Sequence, residues 1–417
     1  MSFGDPRAMT GWSVERLDWT DEPLGEIGLP KRTMRFRSGF GSGLSRRAGD
    51  PPGIVWAVGD RGPNIKVKTA VKLYGLDRLE KLRGETGAKI MPRLDLGPAI
   101  AELRVEGGRV ELVRSLRIAD AEGRPVSGLP VPGGPHGRCE PAFGLDGEPL
   151  EPDPSGLDTE GIAALADGGF WVGDEFGPSL VRLDPAGRVL RRLVPQGVAL
   201  DGAAYPVEAC LPAIAARRQL NRGFEAIALS PDGRWLFLAF QSPLAHPDEA
   251  AHERARHVRL WKLDSATGEL AGQYLYPLDP PETFLRDQAT KPLERSDLKL
   301  SELCWAGDGS LLVLERGSET TKIYRVAPEP ASALPAVHAD IATRPTVEEL
   351  SAGDIGLPVL AKSLLFSTDD APEVGADLEG MAILSPSELL LVNDNDFGVE
   401  GAETGFWIVR FDRPVLA

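Results

Sequence analysis

Hydrophobic and polar positions along this chain fall into a repeated figure. A glutamate and a small residue open a short apolar run, a Gly- or Pro-containing turn follows, and a second apolar run ends in a polar knot. The copies begin at Glu160-Gly161-Ile162-Ala163, Glu225-Ala226-Ile227-Ala228, Glu302-Leu303-Cys304-Trp305 and Glu379-Gly380-Met381-Ala382, at intervals of 65, 77 and 77 residues. A degenerate fifth copy starts at Gly41-Ser42-Gly43-Leu44, with Ser42 in the glutamate's place. Short apolar runs bounded by turn residues read as strands. The period is too long for a solenoid and suits a radial array of small antiparallel sheets.

The second unit is the clearest. Strands are predicted at 160–166, 170–173, 180–183 and 189–194, joined by Asp167-Gly168-Gly169, by a loop over 174–178 and by Asp184-Pro185-Ala186-Gly187. Four strands linked by hairpins make one propeller blade. The third unit repeats the figure, and the fourth finds its outer strand at 363–367. The last unit lacks a fourth strand, which the alternating stretch 12–19 can supply. Closing the ring with both chain ends removes free sheet edges. The expectation is therefore an all-β fold, a β-propeller of five or six four-stranded blades forming a single domain over 1–417. A sixth blade has room only in 119–157 or 327–360. Inserts are expected at 61–97, 119–157, 195–221, 243–257 and 327–360, with short helices after Pro212 and Pro247. Loops this long in a compact fold tend to carry function.

Charge narrows the class of partner. The chain has 417 residues and a formal net charge of −16, which argues against nucleic acid and anionic membrane and is compatible with bound cations. No run of apolar residues is long enough to span a bilayer as a helix. Cys139, Cys210 and Cys304 are scattered and odd in number, so they read as free thiols rather than a disulfide framework or zinc site. The first thirty residues hold no apolar leader. The compartment is left open: periplasmic if a leader was removed, otherwise cytoplasmic. Oligomeric state is left open.

In a propeller the first strand of each blade runs along the channel and the second runs back beside it. Glu160, Glu225, Glu302 and Glu379 are thus expected at one mouth. The loops after the second strands should join them, bringing Asp60, Arg61, Asp174, Glu175, Arg316, Asp394 and Asp396. Carboxylates crowded in this way either protonate or share a cation. Oxygen donors without clustered His or Cys favour Ca²⁺, with Mg²⁺ as the alternative. The metal candidates are Glu160, Glu225, Glu302, Glu379, Asp60, Asp394 and Asp396. Lys66, Lys68, Arg222 and Lys322 are candidates for holding an anionic substrate. A competing reading has the glutamates accept backbone N–H groups and brace neighbouring blades. His136 and His246 lie in inserts, and no Ser-His-Asp pattern or Gly-x-Ser-x-Gly signature is present.

Five stretches resemble the bacterial phytase-like family, labelled as having esterase-like activity. They are Gly59-Asp60-Arg61-Gly62-Pro63-Asn64, Asp158-Thr159-Glu160-Gly161-Ile162-Ala163, Gly173-Asp174-Glu175-Phe176-Gly177-Pro178, Asn221-Arg222-Gly223-Phe224-Glu225-Ala226 and Leu378-Glu379-Gly380-Met381. The resemblance implies a β-propeller, calcium binding and a hydrolase. The chain lacks the Asp-rich metal strings of the characterised propeller phytases, so the resemblance speaks to fold more than to phytate as substrate. The expected activity is metal-dependent hydrolysis of a small phosphate or carboxylate ester. In that reading water polarised by the metal attacks, Asp174, Glu175 or Glu160 is the base, and Arg61 or Arg316 steadies the developing charge. A calcium-dependent lactonase and a non-catalytic binding propeller are the alternatives.

Overall fold

Apolar runs form strands and the Gly-rich turns between them form hairpins. A computed structural model describes residues 11–133 and 139–414. Blade 1 is Gly43–Ser45, Ile54–Gly59, Ala99–Glu106 and Arg109–Arg117. Blade 2 is Thr159–Ala164, Phe170–Asp174, Ser179–Leu183 and Val189–Pro195, with an added outermost strand, Val207–Leu211, running parallel to its neighbour. Blade 3 is Phe224–Leu229, Trp235–Phe240, His257–Asp264 and Leu270–Pro277, and blade 4 is Lys299–Trp305, Leu311–Arg316, Thr321–Val326 and Lys362–Ser367.

Blade 5 joins the two ends of the chain. Leu378–Ser385, Glu388–Asn393 and Phe406–Phe411 are completed by Trp12–Leu17, which pairs antiparallel with Phe406–Phe411 from Trp12 opposite Phe411 to Leu17 opposite Phe406. The innermost strands adjoin in blade order and return from blade 5 to blade 1. The fold is a five-bladed β-propeller, closed as the alternation at 12–19 predicts.

Aromatic rings cement the blades edge to face. Trp56 meets Phe170 between blades 1 and 2 at 4.9 Å, and Trp12 meets Phe366 between blades 5 and 4 at the same centroid distance. Because each sheet is covered on both faces by its neighbours, middle strands such as Ile54–Gly59 and Leu311–Arg316 are buried at every position. Ile54–Gly59 is apolar throughout, and Leu311–Arg316 is apolar until Glu315 and Arg316 at its end.

Among the described residues no sixth blade forms. The 119–157 stretch contributes only the two-residue strand Ala142–Phe143, and 327–360 holds short helical turns, Pro330–Ser332, Ala336–Ala339 and Val347–Leu350. Short helical segments do follow Pro212 and Pro247, at Ala213–Arg217 and Glu249–Arg254. The 61–97 insert is more ordered than its sequence suggests. It contains the helix Val67–Tyr74, ended by Gly75 in the left-handed region (φ 73°), and the 3-10 turn Asp77–Leu82. Their apolar side packs on Met34 and Phe36, building a separate small core beside the ring.

One local feature positions the site. Each inner strand of blades 2 to 5 carries a β-bulge near its start, where the register to the second strand slips. The slip falls at Glu160-Gly161, at Glu225, at Ser301 and at Glu379. A bulge re-aims the extra residue away from the ladder. Matched by bulge, Glu160, Glu225, Ser301 and Glu379 are equivalent. Glu302 instead falls with Gly161, Ala226 and Gly380.

Candidate functional site

The bulged glutamates of blades 2, 3 and 5 and the loops after the second strands line one cavity of about 330 Å³ at a single mouth of the channel. Glu160, Glu225 and Glu379, from blades 2, 3 and 5, each offer a carboxylate oxygen within 4.8 Å of the others. Glu160 also belongs to a second such group with Asp60 and Asp158, and Asp60 to a third with Asp394 and Asp396. Glu160 is 9% exposed and has no hydrogen-bond or ion-pair partner among the described residues. Its carboxyl is pushed well above the ordinary range by burial, and then by Asp158, Glu225, Glu175 and Glu379.

Cations interleave with these acids. Arg61 is buried and pairs with Glu140 and Asp158, lies 3.6 Å from Glu175, and donates to Asn221 Oδ1 at 2.7 Å. Burial opposes its charge, but Asp158, Glu140 and Asp60 more than offset this and hold its pKa well above the usual value. Arg316 pairs with Glu379 and, at 3.0 Å, with Asp377. Its Nε donates to Ser301 Oγ at 2.8 Å, and that hydroxyl donates to Glu225 Oε1 at 3.0 Å. Ser301, standing in the glutamate's place, therefore links a cation of blade 4 to a carboxylate of blade 3. Burial raises Glu379 to about 7, with Arg316 opposing and Glu225 reinforcing the shift. Burial, then Arg316 and Arg222, brings Lys299 down to about 8.

The rim is backbone held under tension. Among the described residues four non-glycines adopt positive φ: Asn221, Asp377, Asp396 and Phe397. The first three line the cavity. Such conformations cost on the order of 1 kcal/mol or more and cluster at functional sites, although Asn and Asp tolerate them best.

The structure brings Asp60, Arg61, Lys66, Glu160, Glu175, Glu225, Arg316, Glu379, Asp394 and Asp396 to this cavity. Five expected residues do not line it. Glu302 lies deeper in the channel, where its Oε2 accepts the Leu44 N–H of blade 1 at 2.8 Å. The small residues Gly43, Gly161, Ala226 and Gly380 leave it room to cross: a Cβ on Gly43 would stand 3.4 Å from Glu302 Oε2. Glu302 is a brace, because it follows the bulge rather than occupying it. Asp174 is sealed in, with Oδ2 2.6 Å from both Arg192 Nη2 and Ser179 Oγ and Oδ1 accepting the Asp158 N–H. A carboxylate so enclosed does not reach the cavity. Lys322 Nζ is held by Asp279 at 2.8 Å and Thr283 at 2.7 Å, over the Phe284 ring. Lys68 projects from the insert helix toward a neighbouring cleft.

Arg222 is also absent from the lining; it donates to the Ser296 carbonyl at 3.4 Å, and burial lowers its pKa. His246 is buried against the Ile341 carbonyl, and His136 lies outside the described residues. Sequence reasoning did not assign Asp158, Lys89, Asn221, Lys299 or Asp377 to the site. Asp158, two positions before Glu160 in a quoted motif, carried a usable signal; Lys299 and Asp377 precede bulges whose positions are not legible in one sequence.

Known proteins resemble the chain at several levels. An uncharacterized secreted protein of Arthroderma benhamiae is 26% identical over 352 residues, covering 74% of this chain, and the chain spans 64% of that relative's length. Among solved structures, a gluconolactonase from Xanthomonas campestris is 10% identical with a TM-score of 0.35, covering 96% of this chain and 98% of that one. The calcium-binding protein regucalcin of Agrobacterium tumefaciens is 14% identical with a TM-score of 0.33, covering 91% and 97%. Likeness at that level carries no argument about this chain. No helix among the described residues is long and apolar enough to cross a membrane. The sequence model of the phytase-like family, described as esterase-like activity of phytase, matches residues 38–397. That match covers blades 1 to 4 and the two inner strands of blade 5, with the acidic and basic residues named at the mouth, and the chain belongs to the phytase-like family.

Proposed function

We propose that the channel mouth binds a divalent cation, Ca²⁺ first and Mg²⁺ as the alternative, and hydrolyses small phosphate or carboxylate esters. One observation carries this reading: Glu160 is a buried carboxylate without a hydrogen-bond or ion-pair partner among the described residues, with two further carboxylates within 4.8 Å. Left to themselves, such groups repel; a hard cation with oxygen ligands relieves all of them together. The donor set fits, since it is entirely oxygen and comes from rigid inner strands. Glu160, Glu225 and Glu379 would hold the ion, with Asp60, Asp394 and Asp396 as a second acidic group beside it.

Bound there, the cation would supply Lewis-acid polarisation of an ester oxygen. The remaining work belongs to the chain. Glu175, pushed well above the ordinary carboxylate range by burial and then by Asp158 and Glu225, is the candidate base for the attacking water. Arg61, Arg316 and Lys299 present fixed positive charge where negative charge develops. Narrow walls and buried ion pairs keep these groups from reorganising.

The test is a screen of aryl phosphates, aryl esters and lactones, each with EDTA and with Ca²⁺ restored. Turnover of phosphate or carboxylate esters that disappears on chelation and returns with Ca²⁺ is expected, and Glu175→Gln should lower kcat by about a hundredfold or more. Turnover of lactones alone would move the activity to ring opening. Silence toward every substrate, with protein that still binds Ca²⁺, would end the hydrolase reading.

A further inference from the structure

Beside the acidic mouth lies a second cleft, of about 470 Å³, walled by the 61–97 insert. The two cavities share Lys66, Lys89 and Asn221. Their charge is opposite in sign. Lys66, Lys68, Arg83 and Lys89 face the cleft, against Glu85 and Glu140. Glu140 is already engaged by Arg61, Arg83 pairs with Glu80 at 2.8 Å, and Lys89 donates to Asn64 Oδ1 at 3.0 Å. Lys66 and Lys68 have no ion-pair partner among the described residues.

A second feature points the same way. The helix Val67–Tyr74 begins at this wall, and its first turn has neither a capping side chain nor an acidic residue. No side chain caps its first N–H groups, and the positive end of its dipole favours an anion there. Between these charges the wall is apolar, formed by Val67, Leu82, Ala88 and Leu220.

We propose that this cleft takes the far end of the substrate. The substrate class is then an ester whose arm carries a short apolar body and ends in an anion, carboxylate or phosphate. The ester group lies at the mouth, the arm crosses the shared wall of Lys66, Lys89 and Asn221, and the anion ends at Lys68 and the open helix terminus. This rests on the hydrolase reading of the mouth, and the experiment separates the two.

The variant is Lys66→Gln/Lys68→Gln. Both side chains are exposed, so its melting temperature should match the parent. Calorimetry with glutarate and with propylphosphonate is run on the full chain in excess EDTA, so that no metal at the mouth can hold the probe. At least one probe should bind, with affinity about fivefold weaker in the variant, and the tighter binder identifies the head group. This result stands whether or not any ester is turned over. Kinetics then compare 4-nitrophenyl butyrate with the mono-4-nitrophenyl ester of glutaric acid, which differ in the terminal charge. The parent should prefer the anionic ester in kcat/KM, and the variant should lose about fivefold of that preference. Failure of both probes to bind, or equal affinity in parent and variant, overturns the cleft. Turnover with no preference for the anionic ester overturns it as well, leaving the mouth untouched.

Discussion

Glu160→Gln should stabilise the metal-free protein, and Ca²⁺ should erode that advantage. One Glu160 oxygen lies within 4.8 Å of oxygens on Glu225 and Glu379. At that distance a pair of full charges repels by about 3.5 kcal/mol at an effective dielectric near 20. Protonation limits the penalty: holding an ordinary glutamic acid neutral at pH 7 costs about 3.7 kcal/mol. Without metal, the amide removes this cost while filling the same space, so the variant should be more stable than the parent by about 1–3 kcal/mol. With Ca²⁺ at a hundred times its Kd the parent gains about 2.7 kcal/mol by mass action. Loss of one charged ligand weakens affinity by about tenfold or more, which leaves the variant with about 1.4 kcal/mol or less. Urea unfolding in EDTA and across a Ca²⁺ titration measures both terms. A variant less stable than the parent in EDTA, with an undiminished calcium response, would show that Glu160 braces the blades and would refute the metal site.

Glu302→Ala should give the complementary result, a loss of about 1–3 kcal/mol because the buried Leu44 N–H is left without an acceptor, with the calcium increment unchanged in the same titration. Deleting residues 11–20 should expose the edge of Phe406–Phe411 and cause aggregation or a sharply lower melting temperature by calorimetry; a deletion that melts like the full chain would contradict closure. Burial, with Arg256 and Arg295, depresses His257 to about 4 from 6.5. The unfolded chain therefore takes up a proton below about pH 6.5 that the folded chain refuses until about pH 4. Stability present above that window should fall across it, and His257→Gln should flatten this part of the urea-derived pH profile.

Much of the architecture is legible in the primary structure because blade formation is local. Two apolar runs around Asp167-Gly168-Gly169, or around Gly307-Asp308-Gly309, specify a hairpin without reference to the rest of the chain. Trp12–Leu17 announces its role by alternation and by the missing strand after Phe406–Phe411. The helix Val67–Tyr74 was not legible, since its apolar positions are short and acquire a partner only when Met34 and Phe36 arrive from another hairpin.

The site divides along the same line. That glutamates recur at the heads of inner strands, and that acidic loops follow the second strands, is written in the residues themselves. Which glutamate reaches the mouth is not. Leu300-Ser301-Glu302 and Phe224-Glu225-Ala226 differ by one position, and along a strand one position turns a side chain to the opposite face. The bulge makes that choice, and its location depends on the register between the first and second strands, which the apolar pattern leaves open by one residue. Only the closed ring brings Glu160, Glu225 and Glu379 from three blades to within 4.8 Å. Only there does burial, set by all five blades at once, make their charges costly.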